Sequence, residues 1–573
     1  MNDAPLLPIA MSLIAGIITG DAAGARVPAL AWLCVAAALL VVAMAFNGGR
    51  RHGIEGRRQT DDGRRRGRWQ SILLLGCVMA MGAALVSHQE VSRTITMPQD
   101  AIPWRGVVMS EPQVRGKVVR CDILITEGPW RQPVKVKAAI LRDTLTGRWQ
   151  RLHVGNGIEA LSRMEPMRNF RQSNFDYVRW QQVHGYSFNT FIYYRNWQKA
   201  RVSLRQLPLV DRLRLRMLTV RHQLLAHYQL LGLDEQQYAV VAAMTLGEKG
   251  ALSQALKDDY SMSGGSHVLA LSGLHLSVIY ALLTFCFMSG RRRRLWVSQT
   301  LIVVAIWIYV LLVGLMPSVV RSATMLTLYS LCLVLGRQGV TLSNLACAAI
   351  VMLVVNPQTL WDVGFQMSFM AVAAIVVGYP LIDGCCRGTA TRLTANSIND
   401  FASSLGGNTS SVYGKAKGLI DKAESLIKKT GQRLLRWTWG MVVMAVSAQL
   451  GTAPLVAYYF GRFSCYFLLT NFIVIPAATV ILYGAVAMVA ATPVMTLQLL
   501  IAEALATVAG WLNGAVGRIA QLPGASIENI HMTLPQVWLL YVLIACALAV
   551  LAISRRGRAH ALPLTDPAPD GTP

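Results

Sequence analysis

The sequence contains few charged residues and no cysteine or histidine pattern typical of a metal site. Asp, Glu, Lys and Arg make up 14% of its 573 residues, whereas 54% are hydrophobic and the mean hydropathy is +0.42. A soluble core could not bury so much apolar surface. The ten cysteines form no C-x-x-C pair, and the motifs H-E-x-x-H and G-x-S-x-G do not occur. The chain is therefore predicted to be a membrane protein with no catalytic site, metal or cofactor.

The sequence also lacks the phosphate-binding loop of an ATPase. The pattern G-x-x-x-x-G-K-[ST] occurs nowhere, so any transport is expected to draw its energy from another protein. Acidic residues are scarce, with 29 Asp and Glu against 54 Lys and Arg, and the net charge is +25. Because membrane proteins keep Lys and Arg in cytoplasmic loops, the location of this charge is more informative than its total.

Apolar runs predict about twelve membrane spans, since about 20 apolar residues cross the hydrocarbon. Runs that approach or reach this length are 29–46, 71–86, 268–288, 301–315, 363–381 and 537–553. A further run at 6–19 has no basic segment before it, so we interpret it as a retained span rather than a signal peptide. Basic clusters at 50–68 and 291–294 are predicted to be cytoplasmic, which places 92–235 on the outer face of a bacterial inner membrane.

The segment from 95 to 235 carries more positive charge than topology requires. It contains 22 Lys and Arg and 11 Asp and Glu, with aromatic residues between them. Basic side chains that track phosphates, together with rings on which bases stack, suit a sequence-tolerant single-strand site. The candidates are Arg115, Lys117, Arg120, Lys135, Lys137, Trp149 and Trp180. The alternative is that the rings are core residues or interfacial anchors and that the arginines face lipid headgroups.

Alternation of apolar and polar residues predicts strands at 119–125 and 134–140. A small sheet or barrel follows, and an OB-like fold is one candidate. After Pro208 the apolar period becomes helical. The arginines beside the apolar stripe of this helix are Arg212, Arg214, Arg216 and Arg221. The helix is predicted to lie on the outer membrane surface, with its arginines on lipid.

Small and polar residues open the apolar run that begins near residue 263. A Gly-rich opening of a helix leaves backbone N–H groups free, and these donors suit a phosphate. The candidates for this part of a DNA path are Gly264, Gly265, Ser266, His267, Ser272 and His275. On one straight helix the two histidines would stand about 12 Å apart along the axis, too far to share a metal ion. Close helix packing through small residues is the alternative.

A second polar group begins at Pro317 and includes Arg321. A membrane arginine is costly without water or a partner, so Arg321 is predicted to line a hydrated interior; the alternative is that it snorkels to the outer interface. Ser318, Gln366 and Asn471 are further candidates for the interior. Such polar positions indicate broken helices or a wet bundle.

These stretches resemble, in order, the motifs of the ComEC competence family. The resemblance lies in 265–275, 317–321, 356–369 and 451–460, and 174–186 is similar to the N-terminal domain of the family. It covers nearly the whole chain, and four motifs in order are more specific than one. Longer members carry a metallo-β-lactamase-like domain, but no H-x-H-x-D-H cluster occurs here, so no nuclease activity is carried over.

The resemblance implies a passive channel that takes single-stranded DNA through the inner membrane during natural transformation, and not an enzyme. Its expected partners are single-stranded DNA, the phospholipid bilayer, and a cytoplasmic DNA translocase or single-strand-binding proteins. A separate nuclease and a second copy of the chain, forming a homo-oligomer, are two further partners that the resemblance leaves open. Two alternatives also stay open: a secondary transporter or handler of a lipid-linked anion or glycan, and a membrane enzyme with His267 or His275 as base.

The predicted fold class is a polytopic α-helical membrane protein with an exported, small, β-rich domain. The predicted domains are N-terminal transmembrane helices with a basic cytoplasmic loop at 1–90, the β-rich domain at 91–206, an amphipathic interfacial helix at 207–235, a channel domain at 236–555 with a cytoplasmic insertion near 389–436, and a disordered tail at 556–573.

Overall fold

The computed structural model describes residues 4–45, 61–93, 95–143, 146–169, 175–287, 292–336, 342–405 and 414–560. Parts of the basic loop, of the insertion and of the tail therefore lie outside the described residues. The chain divides into two compact units. The first is Met1–Ser368 with Ile473–Pro523, and the second is Phe369–Phe472 with Gly524–Pro573.

Three helices begin the first unit: α1 (Leu7–Ala23), α2 (Ala29–Ala45) and α3 (Asp61–Arg93). Glycines bring α1 against α3. A Cβ at Gly16 would lie 1.9 Å from the backbone oxygen of Met79, and a Cβ at Gly20 would lie 2.6 Å from Cα of Ala83. Small residues four positions apart therefore let the two backbones approach closely, which is a common basis of helix packing in membranes.

A β-rich domain follows. Its strands are β1 (Ile102–Val108), β2 (Gln113–Arg115), β3 (Val118–Glu127), β4 (Val134–Leu141), β5 (Gly157–Ser162), β6 (Met164–Glu165), β7 (Tyr186–Ile192) and β8 (Trp197–Ala200). β1 pairs antiparallel with β3 and β5, β3 pairs antiparallel with β4, and β4 pairs parallel with β7. β6 follows β5 after one residue and pairs with β7. β1, β3, β4, β7 and the joined β5 and β6 thus close a five-stranded barrel, as expected of an OB-like domain.

Strict alternation on the barrel strands separates the core from the outer face. On β4, Val134, Val136 and Ile140 are buried, whereas Lys135 and Lys137 between them are half-buried. The two predicted strand segments are therefore confirmed, and the lysines face away from the barrel core. A short helix, α4 (Tyr177–Val183), precedes β7, and the side chain of Asp176 caps it by accepting from the backbone of Arg179 at 2.9 Å.

Five helices come next: α5 (Leu209–Leu230), α6 (Glu235–Leu246), α7 (Gln254–Ser263), α8 (Ser266–Leu269) and α9 (Gly273–Phe287). The interpretation of the arginines of α5 as lipid contacts is wrong for Arg221, which is 8% exposed and pairs with Glu248. The apolar run at 268–288 is not one helix. Gly264 adopts a left-handed conformation at φ 89° and ends α7, and extended backbone separates α8 from α9.

The remaining helices are α10 (Arg292–Leu312), α11 (Pro317–Val334), α12 (Leu342–Val355), α13 (Val363–Leu405), α14 (Gly414–Phe460), α15 (Phe467–Ala490), α16 (Met495–Ala520) and α17 (Leu534–His560). A 3-10 turn, Pro357–Trp361, joins α12 to α13. The backbone of the predicted insertion near 389–436 is helical up to Leu405 and again from Gly414. In the second unit, Tyr541 donates to the carbonyl oxygen of Gly451 at 2.8 Å, and β9 (Phe463–Ser464) pairs with β10 (Ser526–Ile527).

Eight helical segments among the described residues are long and apolar enough to cross a membrane. They are Gly67–Gln89, Leu295–Leu312, Pro317–Val334, Val363–Gly384, Arg433–Phe460, Phe467–Ala490, Met495–Ala520 and Leu534–Ser554. Four shorter apolar helices accompany them: Leu7–Ala23, Ala29–Ala45, Gly273–Phe287 and Leu342–Val355. The chain is therefore a multi-pass α-helical membrane protein with a small β-rich domain, as predicted.

Candidate nucleic-acid interface

A cavity of about 1480 Å³ lies within the first unit, between the outer face of the barrel, α5 and the start of α11. It exceeds the roughly 300–1,000 Å³ typical of small-molecule sites. Its described lining has eight Lys and Arg against five Asp and Glu. The basic residues are Arg115, Arg120, Lys135, Lys137, Arg214, Arg221, Lys249 and Arg321. Size and charge therefore favour a large or extended anion.

One side of the cavity, here called the barrel wall, consists of Lys135, Lys137, Tyr177, Trp180 and Tyr186. Lys137 Nζ lies 3.2 Å from the Tyr177 hydroxyl and 4.5 Å from the ring centroid of Trp180. The rings of Tyr177 and Trp180 stack at 5.7 Å with an interplanar angle of 8°. Strand β4 supplies the lysines, and α4 and β7 supply the rings, so the barrel wall combines cations with flat apolar surfaces.

Lys135 of the barrel wall lies close enough to Asp211 and Arg214 of α5 to interact with them electrostatically. Its Nζ lies 4.1 Å from the ring centroid of Tyr186 and 3.3 Å from the carbonyl oxygen of His184. Burial lowers the pKa of Lys135 from 10.5 to about 8, while the nearby carboxylate of Asp122 opposes this shift. Asp122 also accepts from the Tyr186 hydroxyl at 2.7 Å. Lys135 is therefore a cation whose charge changes just above neutral pH.

A second side, the helix wall, is formed by Arg214 and Arg221 of α5 together with Glu248. Arg221 donates through Nη2 to Oε2 of Glu248 at 2.6 Å. The other carboxylate oxygen of Glu248 accepts from the backbone of Gly250 at 2.8 Å. Arg221 and Glu248 thus form a largely buried ion pair, which lowers the cost of placing an arginine there.

The third side, the membrane wall, is formed by Pro317, Arg321 and Asp362. Arg321 is 6% exposed, and its Nη1 donates to Oδ2 of Asp362 at 3.0 Å. The same oxygen accepts from the backbone of Phe365 and so caps α13. A side chain at Gly364 would collide with the guanidinium, since a Cβ there would lie 2.7 Å from Nη2 of Arg321. The Pro-initiated helix α11 and the cap of α13 therefore fix this arginine inside the protein.

Five of the seven candidates in the exported segment line the cavity: Arg115, Arg120, Lys135, Lys137 and Trp180. The other two lie elsewhere in the described structure. Trp149 packs against the barrel core and receives Arg142 over its ring at 4.7 Å, and Lys117 is exposed next to β3.

The Gly-rich stretch is separate from the lining of the cavity, as far as the described residues extend. The expectation of a free N–H at Gly264 is wrong, because this group donates to the carbonyl oxygen of Ser261 at 3.3 Å. The two histidines do not share a helix either. His267 lies on α8 with Nδ1 3.0 Å from the Gly264 oxygen, and His275 lies buried on α9 with Nδ1 3.1 Å from the Ser272 hydroxyl. Ser266 begins the four residues of α8.

The other three candidates for the interior are not among the residues that line the cavity. Ser318 donates to the carbonyl oxygen of Leu271 at 2.7 Å and so ties α11 to the extended turn before α9. Gln366 donates to the carbonyl oxygen of Leu360 at 2.9 Å. Asn471 lies on α15 in the second unit.

The sequence pattern did not single out several residues of the cavity. Glu248 follows α6 in a polar loop, and only the fold brings it to Arg221, 27 positions away. Asp362 lies in the 356–369 stretch that the sequence did single out, but its pairing with Arg321, 41 positions away, depends on the fold. The 7-residue spacing of Arg214 and Arg221 is the sequence feature that could have indicated the helix wall, since it puts both arginines on one face of a helix.

The spans, the barrel and the basic cavity together define a class: a polytopic membrane protein with a small barrel beside a cation-rich interior. A family model described as "Competence protein" matches residues 244–556. This is more than half of the chain, and the chain belongs to that family. A curated relative, ComE operon protein 3 of Bacillus subtilis (strain 168), is 24% identical over 306 residues, which is 53% of this chain and 33% of the relative. The match thus spans about a third of the relative's length, and no solved structure matches the chain.

Proposed function

We propose that this chain conducts single-stranded DNA across the inner membrane during natural transformation, as a passive channel. Membership of the competence family supports the process. The observation that supports single-stranded DNA as the substrate is the geometry of the barrel wall. There, Lys137 Nζ lies 3.2 Å from the Tyr177 hydroxyl and 4.5 Å from the ring centroid of Trp180. Cations beside stacking surfaces bind phosphates and bases together without reading sequence.

In this proposal the strand enters at the barrel wall and passes along the helix wall to Arg321. The barrel wall lies on the outer face of the membrane, and the membrane wall begins the path through the bundle. A cytoplasmic translocase or single-strand-binding proteins take up the emerging strand and supply the work.

The direct test is binding of an oligothymidylate of about 20 nucleotides to the purified full-length chain in detergent. Affinity should fall steeply between about 50 and 200 mM salt, because each phosphate contact releases counterions. A duplex of the same length should bind more weakly, since its bases are not free to stack. Failure of the full-length chain to bind the oligonucleotide at low salt would contradict the proposal.

A secondary transporter of a small or lipid-linked anion is the second candidate. The buried arginine of the membrane wall favours it, since one guanidinium is enough for a single anionic group. A competition experiment with inorganic phosphate distinguishes the two candidate functions. If a small anion is the substrate, millimolar inorganic phosphate should displace the oligonucleotide completely at constant ionic strength.

A further inference from the structure

The cavity-facing side of α5 forms a single stripe. The residues of α5 in the lining are Arg214, Leu218, Arg221, His222 and Leu225, which follow the 3.6-residue period of one helix face. Arg214 and Arg221 are two turns apart, about 10 Å along the axis. Arg214 is close enough to Lys135 to disfavour its protonation, and Arg221 contacts Glu248, so the stripe begins beside the barrel wall and continues along the helix wall.

The guanidinium groups on this path have unused donors. Among the described residues, five arginines have a buried Nε without a hydrogen-bond partner, and three of these line the cavity: Arg214, Arg221 and Arg321. Arg221 and Arg321 are 8% and 6% exposed, so both guanidinium groups are largely shielded from bulk solvent. A buried donor without a partner is costly, and one Nε with one Nη forms a fork that fits two oxygens of a phosphate.

Glu248 occupies part of this fork. Its carboxylate meets Nη2 of Arg221 at 2.6 Å and leaves Nε of the same guanidinium without an acceptor. A phosphate diester has the same charge as the carboxylate and could engage both nitrogens. The exchange leaves one negative group on the buried guanidinium, as a buried ion pair requires, while the displaced carboxylate of Glu248 keeps its hydrogen bond from the backbone of Gly250.

We infer that Arg214 and Arg221 form a phosphodiester-binding stripe in which Glu248 is the counter-ion that an arriving phosphate displaces. The phosphodiester can come from a DNA backbone or from a phospholipid headgroup, and the DNA source rests on the proposed function. Phosphates would then pass from Lys135 to Arg214 and Arg221, in contact with side chains that do not distinguish bases.

The test uses the full-length chain and the variants Arg214→Gln, Arg221→Gln and Glu248→Gln. Arg216→Gln is the matched control, because Arg216 is exposed on the same helix and is not among the residues that line the cavity. Each arginine variant should weaken binding of the oligothymidylate about tenfold and reduce the salt slope by about one. For an abasic oligonucleotide of equal length, each arginine substitution should reduce the affinity by the same factor relative to the parent, since the stripe contacts phosphates and not bases.

Glu248→Gln should change affinity in the opposite direction. The amide can still accept from Gly250, but it no longer competes for Arg221, so the oligonucleotide should bind several-fold more tightly. A merely structural ion pair would instead weaken binding in both Arg221→Gln and Glu248→Gln, and that result would overturn the inference. Thermal unfolding of each variant identifies any loss that comes from misfolding.

The second part of the test measures how much phosphatidylglycerol each purified variant retains. If the arginine variants lose this lipid and keep the oligonucleotide, the stripe binds a headgroup phosphate. If they match Arg216→Gln in both measurements, the stripe is not a phosphate site. Absence of oligonucleotide binding in the parent would contradict the proposed function alone, because loss of lipid from the variants would still support the stripe.

Discussion

The barrel wall and the Gly-rich stretch both contain residues that the sequence predicts to bind phosphate, yet the two regions have different roles in the fold. Lys135 and Lys137 come from β4 and Trp180 comes from α4, and all three line one cavity. Gly264 instead ends one helix and uses its own N–H in a local bond. Residue type and strand alternation identify a surface reliably, whereas a glycine identifies a break in the backbone without saying what the break faces.

The largest expected effect concerns the membrane wall. Arg321→Ala should reduce transformation to background, because it removes a buried cation of the cavity and leaves Asp362 buried without its partner. Since the loss could reflect misfolding, Arg321→Lys is the sharper variant. It keeps the charge but not the fork, and we expect parental abundance in the membrane with transformation still strongly reduced. Parental transformation by both variants at equal abundance would show that this wall is not on the path.

Two tryptophans of the β-rich domain allow the cavity to be tested separately from the barrel core. Trp180→Ala should weaken binding of the oligothymidylate about tenfold, since base stacking contributes about 1–3 kcal/mol per base. Trp149→Ala is the matched control, because Trp149 packs against the barrel core and is not among the cavity residues. Fluorescence anisotropy of both purified variants measures the difference. Equal losses would mean that the rings serve the fold rather than the ligand.

The sequence was sufficient for the elements with a strong periodic signal and insufficient for contacts between distant residues. Alternation located β3 and β4, and the apolar runs located most membrane helices. The break at Gly264 was visible as composition, but composition does not fix a left-handed φ. The partners Glu248 and Asp362 could not be predicted, because each depends on packing between elements far apart in the chain.

Gly264 offers a smaller effect that tests the other region. Gly264→Ala should lower the free energy of unfolding by about 1–2 kcal/mol, because a side chain is strained at its φ of 89°. The affinity of the folded protein for the oligonucleotide should stay at the parental value. Gly265→Leu would block a phosphate path if one ran here, and His275→Gln would weaken it less, but we expect both changes to act only through stability. A loss of affinity in any of these variants without a loss of stability would show that the Gly-rich stretch is part of the binding site.

The smallest expected effect is a pH dependence at Lys135. Its pKa of about 8 means that the amine is charged below this pH and becomes neutral above it, so affinity for the oligonucleotide should decline between about pH 7 and 9. Bound phosphate favours the charged form and shifts the midpoint upwards. The charged or titratable groups that face this amine are Asp122 on β3, Lys137 on β4, Tyr186 on β7, and Asp211 and Arg214 on α5. Burial lowers the pKa of the neighbouring His184, which therefore stays neutral throughout this range. Lys135→Arg should flatten the profile, because arginine keeps its charge, and an unchanged decline in that variant would assign the titration to another group.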